Sequence, residues 1–151
     1  AVRGLTQKLS QHIGELYSPV CRAQLGDARC GVALSGYTVT GTVTAASSAG
    51  KFTDSSRSEA AATFDGGVLT FTSGDNSGLS REVKFHAAGG VFTLALPFPY
   101  AVQTGDAYSL TPGCDKTLTT CIDRYNNAVN FRGEPHVPGI DKMLQTATTR
   151  Q

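Results

Sequence analysis

The sequence predicts a mainly β protein, a small antiparallel barrel or sandwich of about six strands. An N-terminal helix precedes it, and a short cysteine-containing helix and loop follow. Three observations carry this reading. From residue 35 the apolar pattern changes from a helical period to a period of 2. Short β-branched runs are separated by turn-forming Gly, Asn, Asp and Pro residues. The chain has 151 residues with 17 glycines and 6 prolines, which suits one core with many turns.

The elements follow in order. In "RGLTQKLSQHIGELY", Leu5, Leu9, Ile13 and Leu16 fall on one helical face. Pro19 then stops the helix by pushing Ser18 toward extended geometry. "YTVTGTVTA" (37–45) alternates and is β-branched, so it reads as one strand. Further strands are predicted within 51–55, 64–74, 80–86, 90–99 and 106–113, the fifth ending at two prolines. After Gly113 the strand pattern stops, and Asp115 is the predicted cap of a short helix, "KTLTTCIDRYN". A Pro/Gly loop, "NFRGEPHVPG", and a polar tail close the chain. The organisation is one compact domain in four parts. Residues 1–34 hold the helix and the first cysteine pair, and 35–112 the barrel. Residues 113–140 hold the second pair and a packing loop, and 141–151 a mobile tail.

Charge and hydropathy exclude several classes. Thirteen basic and twelve acidic residues give a net charge of +1, too little to attract nucleic acid or an anionic membrane. No apolar run approaches the ~20 residues of a membrane-spanning helix. The first residues lack the apolar stretch of a signal peptide. No phosphate loop, nucleophile elbow or paired carboxylates appear, so the residues make no case for catalysis. His12, His86 and His136 lack metal-ligand spacing and read as structural or exposed. "TSGDNSG" (72–78) reads as a hairpin turn rather than a nucleophile loop.

The chemistry-bearing residues are the four cysteines, Cys21 and Cys30 before the barrel, Cys114 and Cys121 after it. A barrel whose first and last strands are neighbours would bring both pairs to one end. Their spacings match neither zinc knuckles nor ferredoxin runs. Two disulfides, unrelated free thiols, zinc and an iron–sulfur cluster all stay open on spacing alone. Gly26, Gly31 and Gly113 flank the pairs and would let backbone N–H groups approach the sulfurs. Arg22, Arg29, Lys116 and Arg124 lie nearby in sequence and would offset thiolate charge.

Taken in order, "YSPVCRAQLGDARCGV", "FDGGVLTFTSGDNSGLSREVK" and "LTPGCDKTLTTCIDRYNNAVNFRGEPHVPG" resemble the C-terminal half of siphophage and gene-transfer-agent tail-tip hub proteins. The minor tail protein L of phage lambda is a more distant member of that family. The resemblance implies that Cys21, Cys30, Cys114 and Cys121 bind a [4Fe–4S] cluster, zinc being the alternative, with "NNAVNFRG" packed over it. It further implies a non-enzymatic virion protein of the tail tip or baseplate hub, assembled in the host cytoplasm. Its partners would be other baseplate proteins and copies of itself, as a trimer around the tail axis. Family members usually carry a further N-terminal half; this sequence begins just before the first cysteine block, so the expectation is that this half was not included or is a separate polypeptide. Two rival readings are a small iron–sulfur redox protein and a binding module with disulfides Cys21–Cys30 and Cys114–Cys121.

Overall fold

The computed structural model describes Gly14 and residues 17–137. The predicted N-terminal helix and the tail lie outside these residues. Within them the chain forms seven strands: β1 (Val39–Thr42), β2 (Ala45–Ser48), β3 (Lys51–Thr53), β4 (Val68–Phe71), β5 (Ser80–Ala87), β6 (Val91–Leu94) and β7 (Ala107–Thr111). They make one antiparallel sheet in the order β1-β7-β4-β5-β6-β3-β2, curled into a half-barrel. The mainly β class is as predicted.

There is one strand more than predicted because the run 37–45 breaks at Val43. Up to Thr42 the chain pairs with β7; from Ala45 it pairs with β3. Val43, buried, exchanges backbone hydrogen bonds with Gly105 and Asp106 instead. A single straight strand could not serve two partners on opposite sides of a curled sheet. The longest strand, β5, joins the two halves: it pairs β4 through residues 80–82 and β6 through residues 83–87. A register shift between Val83 and Phe85 bends it there.

Alternation places one face of each strand inside. Leu69 and Phe71, Phe92 and Leu94, and Tyr108 and Leu110 are buried partners on β4, β6 and β7. Phe52 sits at the middle of an aromatic cluster, with ring centroids 5.3 Å from Phe92, 5.6 Å from Tyr108 and 5.9 Å from Phe71.

A strap, residues 54–67, crosses the open side of the half-barrel. Asp54 is fully buried and accepts from Tyr108 Oη at 2.6 Å and from Ser56 Oγ at 2.6 Å. Burial would raise its carboxyl, but these hydrogen bonds and Arg57 hold it below the usual range. Tyr108 is pushed up, first by burial and then by its bond to Asp54. Arg57 reaches Glu59 and the Thr40 carbonyl of edge strand β1. Gly41 permits this closure: a Cβ there would stand 2.4 Å from Asp54 Oδ2 and 2.6 Å from Tyr108 Oη.

Further along the strap, Phe64 is buried and Asp65 Oδ1 accepts the His86 N–H at 2.6 Å. His86 is 3% exposed, stacked on Phe92 and edge-on to Phe64. Among the described residues neither ring nitrogen has a hydrogen-bond partner, nor has Glu59 Oε2. Burial therefore holds the imidazole below its ordinary value; Glu59, Asp65 and the Ala60 backbone oppose this only in part. Because the folded value lies below the unfolded value of 6.5, the unfolded chain binds the extra proton first. Stability should therefore begin to fall as pH drops through 6.5, before the carboxylates matter. Thermal midpoints at descending pH should show this slope in the wild type and lose it in His86→Phe. The same slope in His86→Phe would mean that His86 takes up its proton equally in the folded and unfolded states.

Candidate metal centre

The β1–β7 pairing decides where the cysteines go. Val39 at the start of β1 stands opposite Leu110 near the end of β7. The segments entering the sheet and leaving it are therefore side by side. Tyr37 and Tyr125, one from each segment, meet edge to face at 5.1 Å.

The first segment is a loop organised by Asp27. Its carboxylate accepts from the N–H groups of Gln24 and Arg29 at 2.9 Å and of Cys30 at 2.6 Å. The Gln24 and Cys30 amides hold this carboxyl below its ordinary value. The second segment contains helix α1, Leu118–Asp123. Its cap is Thr117, not the predicted Asp115. Thr117 is in extended geometry, and its hydroxyl accepts from Thr120 N–H. Asp115 instead braces the cap, accepting from Thr117 N–H and from both threonine hydroxyls. Cys121 lies on the buried side of α1.

The two segments are joined by bonds that skip the whole barrel. Cys21 N–H donates to Lys116 O at 2.8 Å, and Arg22 N–H to Arg132 O at 3.1 Å. The Lys116 ammonium reaches the Ala23 carbonyl and Gln24 Oε1. The Arg22 guanidinium forms a two-pronged pair with Glu134 at 2.6 and 2.8 Å. That pair, with the Ser18 amide, brings the Glu134 carboxyl down to about 2.

All four cysteines are free thiols, Cys30 and Cys121 buried, Cys21 and Cys114 partly exposed. Cys121 is pushed up by burial and then by Cys21, Cys114 and Cys30, so the other three thiols lie within electrostatic reach of it. Cys114 is also raised, chiefly by burial, with Lys116 opposing. Any metal loaded here must displace protons from these thiols.

Three N–H donors face the sulfurs. Arg132 N–H donates to Cys21 Sγ at 3.3 Å. The Lys116 backbone amide bonds Cys114. Asn127 Nδ2 approaches Cys30 Sγ at 3.7 Å. The flanking glycines do not supply them as predicted. Gly31 gives its N–H to Asp27 O, while Gly26 makes room for Leu34 and Gly113 for Asp65 and Gly66. Of the nearby cations, Lys116 opposes the rise of Cys114. Arg124 holds the Thr63 carbonyl and lies over Tyr125, and Arg29 donates to the Arg22 carbonyl.

Four thiols make a soft donor set that zinc or an iron–sulfur cluster would accept. Four thiolates on one zinc, each at about 2.3 Å, would draw the sulfurs into mutual contact. Among the described residues no group of three or more His, Cys, Asp or Glu side chains is placed to hold a metal ion. An iron–sulfur cluster takes its thiolates on separate irons and tolerates a wider quartet, with N–H···S bonds as its usual surroundings. Of the other sequence candidates, His86 lies in the barrel core and His136 is exposed; His12 is outside the described residues. Asn127 and Arg132 both lie in "NNAVNFRG", the block expected to pack over the centre, and Lys116 was singled out for its charge rather than for its backbone amide. Asp27, three residues before Cys30 in "GDARC", carried a turn signal that could have been read.

A curled half-barrel with a four-thiol clasp at the junction of its first and last strands defines the class of protein. The comparisons define the family. Residues 62–141, just over half of the chain, match the family described as phage conserved hypothetical protein BR0599, and the chain belongs to it. Residues 1–33 match the N-terminal attachment domain of a baseplate hub protein. A chain in the solved virion of a native gene transfer agent particle superimposes with a TM-score of 0.79 at 31% identity, covering 99% of this chain. An uncharacterized protein of Xylella fastidiosa (strain 9a5c) is 32% identical over 108 residues, 71% of this chain. This chain spans 53% of the gene-transfer-agent chain and 22% of the Xylella protein. The chain is thus similar to virion components of phages and gene transfer agents.

Proposed function

We propose that the chain is a non-enzymatic structural module of a phage or gene-transfer-agent tail tip, acting in the baseplate hub. Cys21, Cys30, Cys114 and Cys121 would hold a [4Fe–4S] cluster there. The observation that carries this is the convergence of four free thiols from the two ends of the barrel, in a chain similar to a virion component. The cluster's work would be mechanical. It would clamp the segments entering and leaving the barrel, and closing the loop between Cys30 and Cys114 would stabilise the fold by about 4 kcal/mol in the chain-entropy picture. The partners would be other baseplate proteins and two further copies, arranged as a trimer around the tail axis, as in lambda tail protein L-like hubs.

Anaerobically purified protein should be brown and contain four irons and four acid-labile sulfides per chain. Colourless protein with one zinc per chain would turn the proposal into a zinc clasp. Two disulfides, seen by mass spectrometry without reductant, would replace it with a disulfide-stabilised module. A reversible potential with a defined electron partner would favour a redox protein instead. Light scattering of the full-length hub should give a trimer; a monomer at high concentration would remove the ring arrangement.

A further inference from the structure

We infer that Asn127 is the positioning residue of the thiol centre, the one side chain that locks Cys30 onto Cys121 and presents an N–H to the Cys30 sulfur. The inference rests on the cluster reading above. Asn127 touches both cysteine segments at once. Its Nδ2 donates to the Cys30 carbonyl at 2.6 Å and lies 3.7 Å from Cys30 Sγ. Its backbone N–H donates to Cys121 O at 2.9 Å, and its carbonyl accepts from Cys121 Sγ at 3.2 Å. The orientation of the amide is fixed from two sides. A carbonyl oxygen can only accept, so the atom facing Cys30 O must be the nitrogen. Asn130 Nδ2 donates to Asn127 Oδ1 at 2.7 Å, which fixes the other end.

The residue is not spent on its own turn. It precedes the 3-10 turn Ala128–Asn130, yet its side chain makes no capping hydrogen bond there. Asparagine is well suited to this place because it offers two donors and an acceptor on a short, stiff stem. Aspartate has the same shape and keeps the acceptor for Asn130. It loses both donors and brings a negative charge beside the thiolates. Once Cys121 is a thiolate, its S–H bond to Asn127 O is gone, and the backbone bond to Cys121 O with the side-chain bond to Cys30 keeps the two segments in register. Partners of this kind orient the ligands and tune the centre, at a cost of about 10- to 100-fold in metal retention when removed.

The test compares wild type, Asn127→Asp and Asn127→Gln in three measurements: iron release to a chelator, reduction potential, and alkylation of Cys30 by N-ethylmaleimide in the metal-free protein. Asn127→Asp should release iron at least ~10-fold faster and shift to lower potential, and its metal-free form should melt below wild type because its carboxylate cannot donate to the Cys30 carbonyl. Asn127→Gln, which keeps the donors, should lie between. Cys30 should be alkylated faster in Asn127→Asp. Wild-type iron release and potential in Asn127→Asp would overturn the inference, as would equal alkylation rates. If Asn127→Asp does not fold, Asn127→Gln carries the same comparison. If wild-type protein holds no iron, the cluster reading itself fails, and alkylation of Cys30 alone decides whether Asn127 locks the two segments.

Discussion

Cys121→Ser should lose the iron centre while keeping the barrel. Cys121 is one of the two buried thiols, and its sulfur lies within electrostatic reach of the other three. Serine oxygen is a poor match for an iron that prefers soft thiolate. Iron and sulfide content should fall to near zero, and stability should drop by up to about 4 kcal/mol as the loop constraint is lost. The fold should survive because Lys116, the Arg22–Glu134 pair and the Cys21 and Arg22 backbone bonds still join the two segments. Far-ultraviolet circular dichroism of the variant should therefore overlay that of the wild type, with a lower melting temperature. Full iron content in the variant would remove Cys121 from the ligand set. Collapse of the whole fold would show that the protein-only bonds are too weak to hold the segments.

The second large effect belongs to the strap. Gly41→Ala should destabilise the barrel by about 3–5 kcal/mol, the usual result of breaking a buried charged hydrogen-bond pair. The new methyl would sit where Asp54 Oδ2 and Tyr108 Oη now meet. One of them must move, and the buried carboxylate then loses a donor that it cannot replace with water. Tyr108→Phe removes the same hydrogen bond without forcing anything aside, and Asp54 keeps Ser56. It should cost less, about 1–3 kcal/mol. Urea unfolding of the two variants should show Gly41→Ala with the lower midpoint and an unchanged slope. The reverse ranking would mean that the strap yields easily and that Gly41 is an ordinary strand residue.

Position and type of the strands were legible because side-chain alternation is local. Leu69/Phe71 and Tyr108/Leu110 announce buried faces from sequence alone. The break at Val43 was not legible. Nothing within 37–45 differs between a strand that runs straight and one that changes partner, since the cause lies in Gly105 and Asp106. The cap of α1 was misplaced by two residues for a related reason. Asp115 and Thr117 are both good caps, and only the extended geometry at Thr117 decides between them.

The centre divides the same way. By itself the sequence determined the four thiols, their order around the barrel, and a resemblance that singled out their chemistry. It also determined the composition of a mainly β chain with no electrostatic claim on nucleic acid. Only the tertiary structure decided that the two cysteine segments lie side by side, because that depends on β1 lying beside β7. The same pairing decided which N–H groups meet sulfur. Arg132, the Lys116 backbone and Asn127 reach it, and the flanking glycines are used for close packing elsewhere. Hydrogen bonds between residues 92 to 116 positions apart have no local signature, since each partner alone is an ordinary polar residue in a loop.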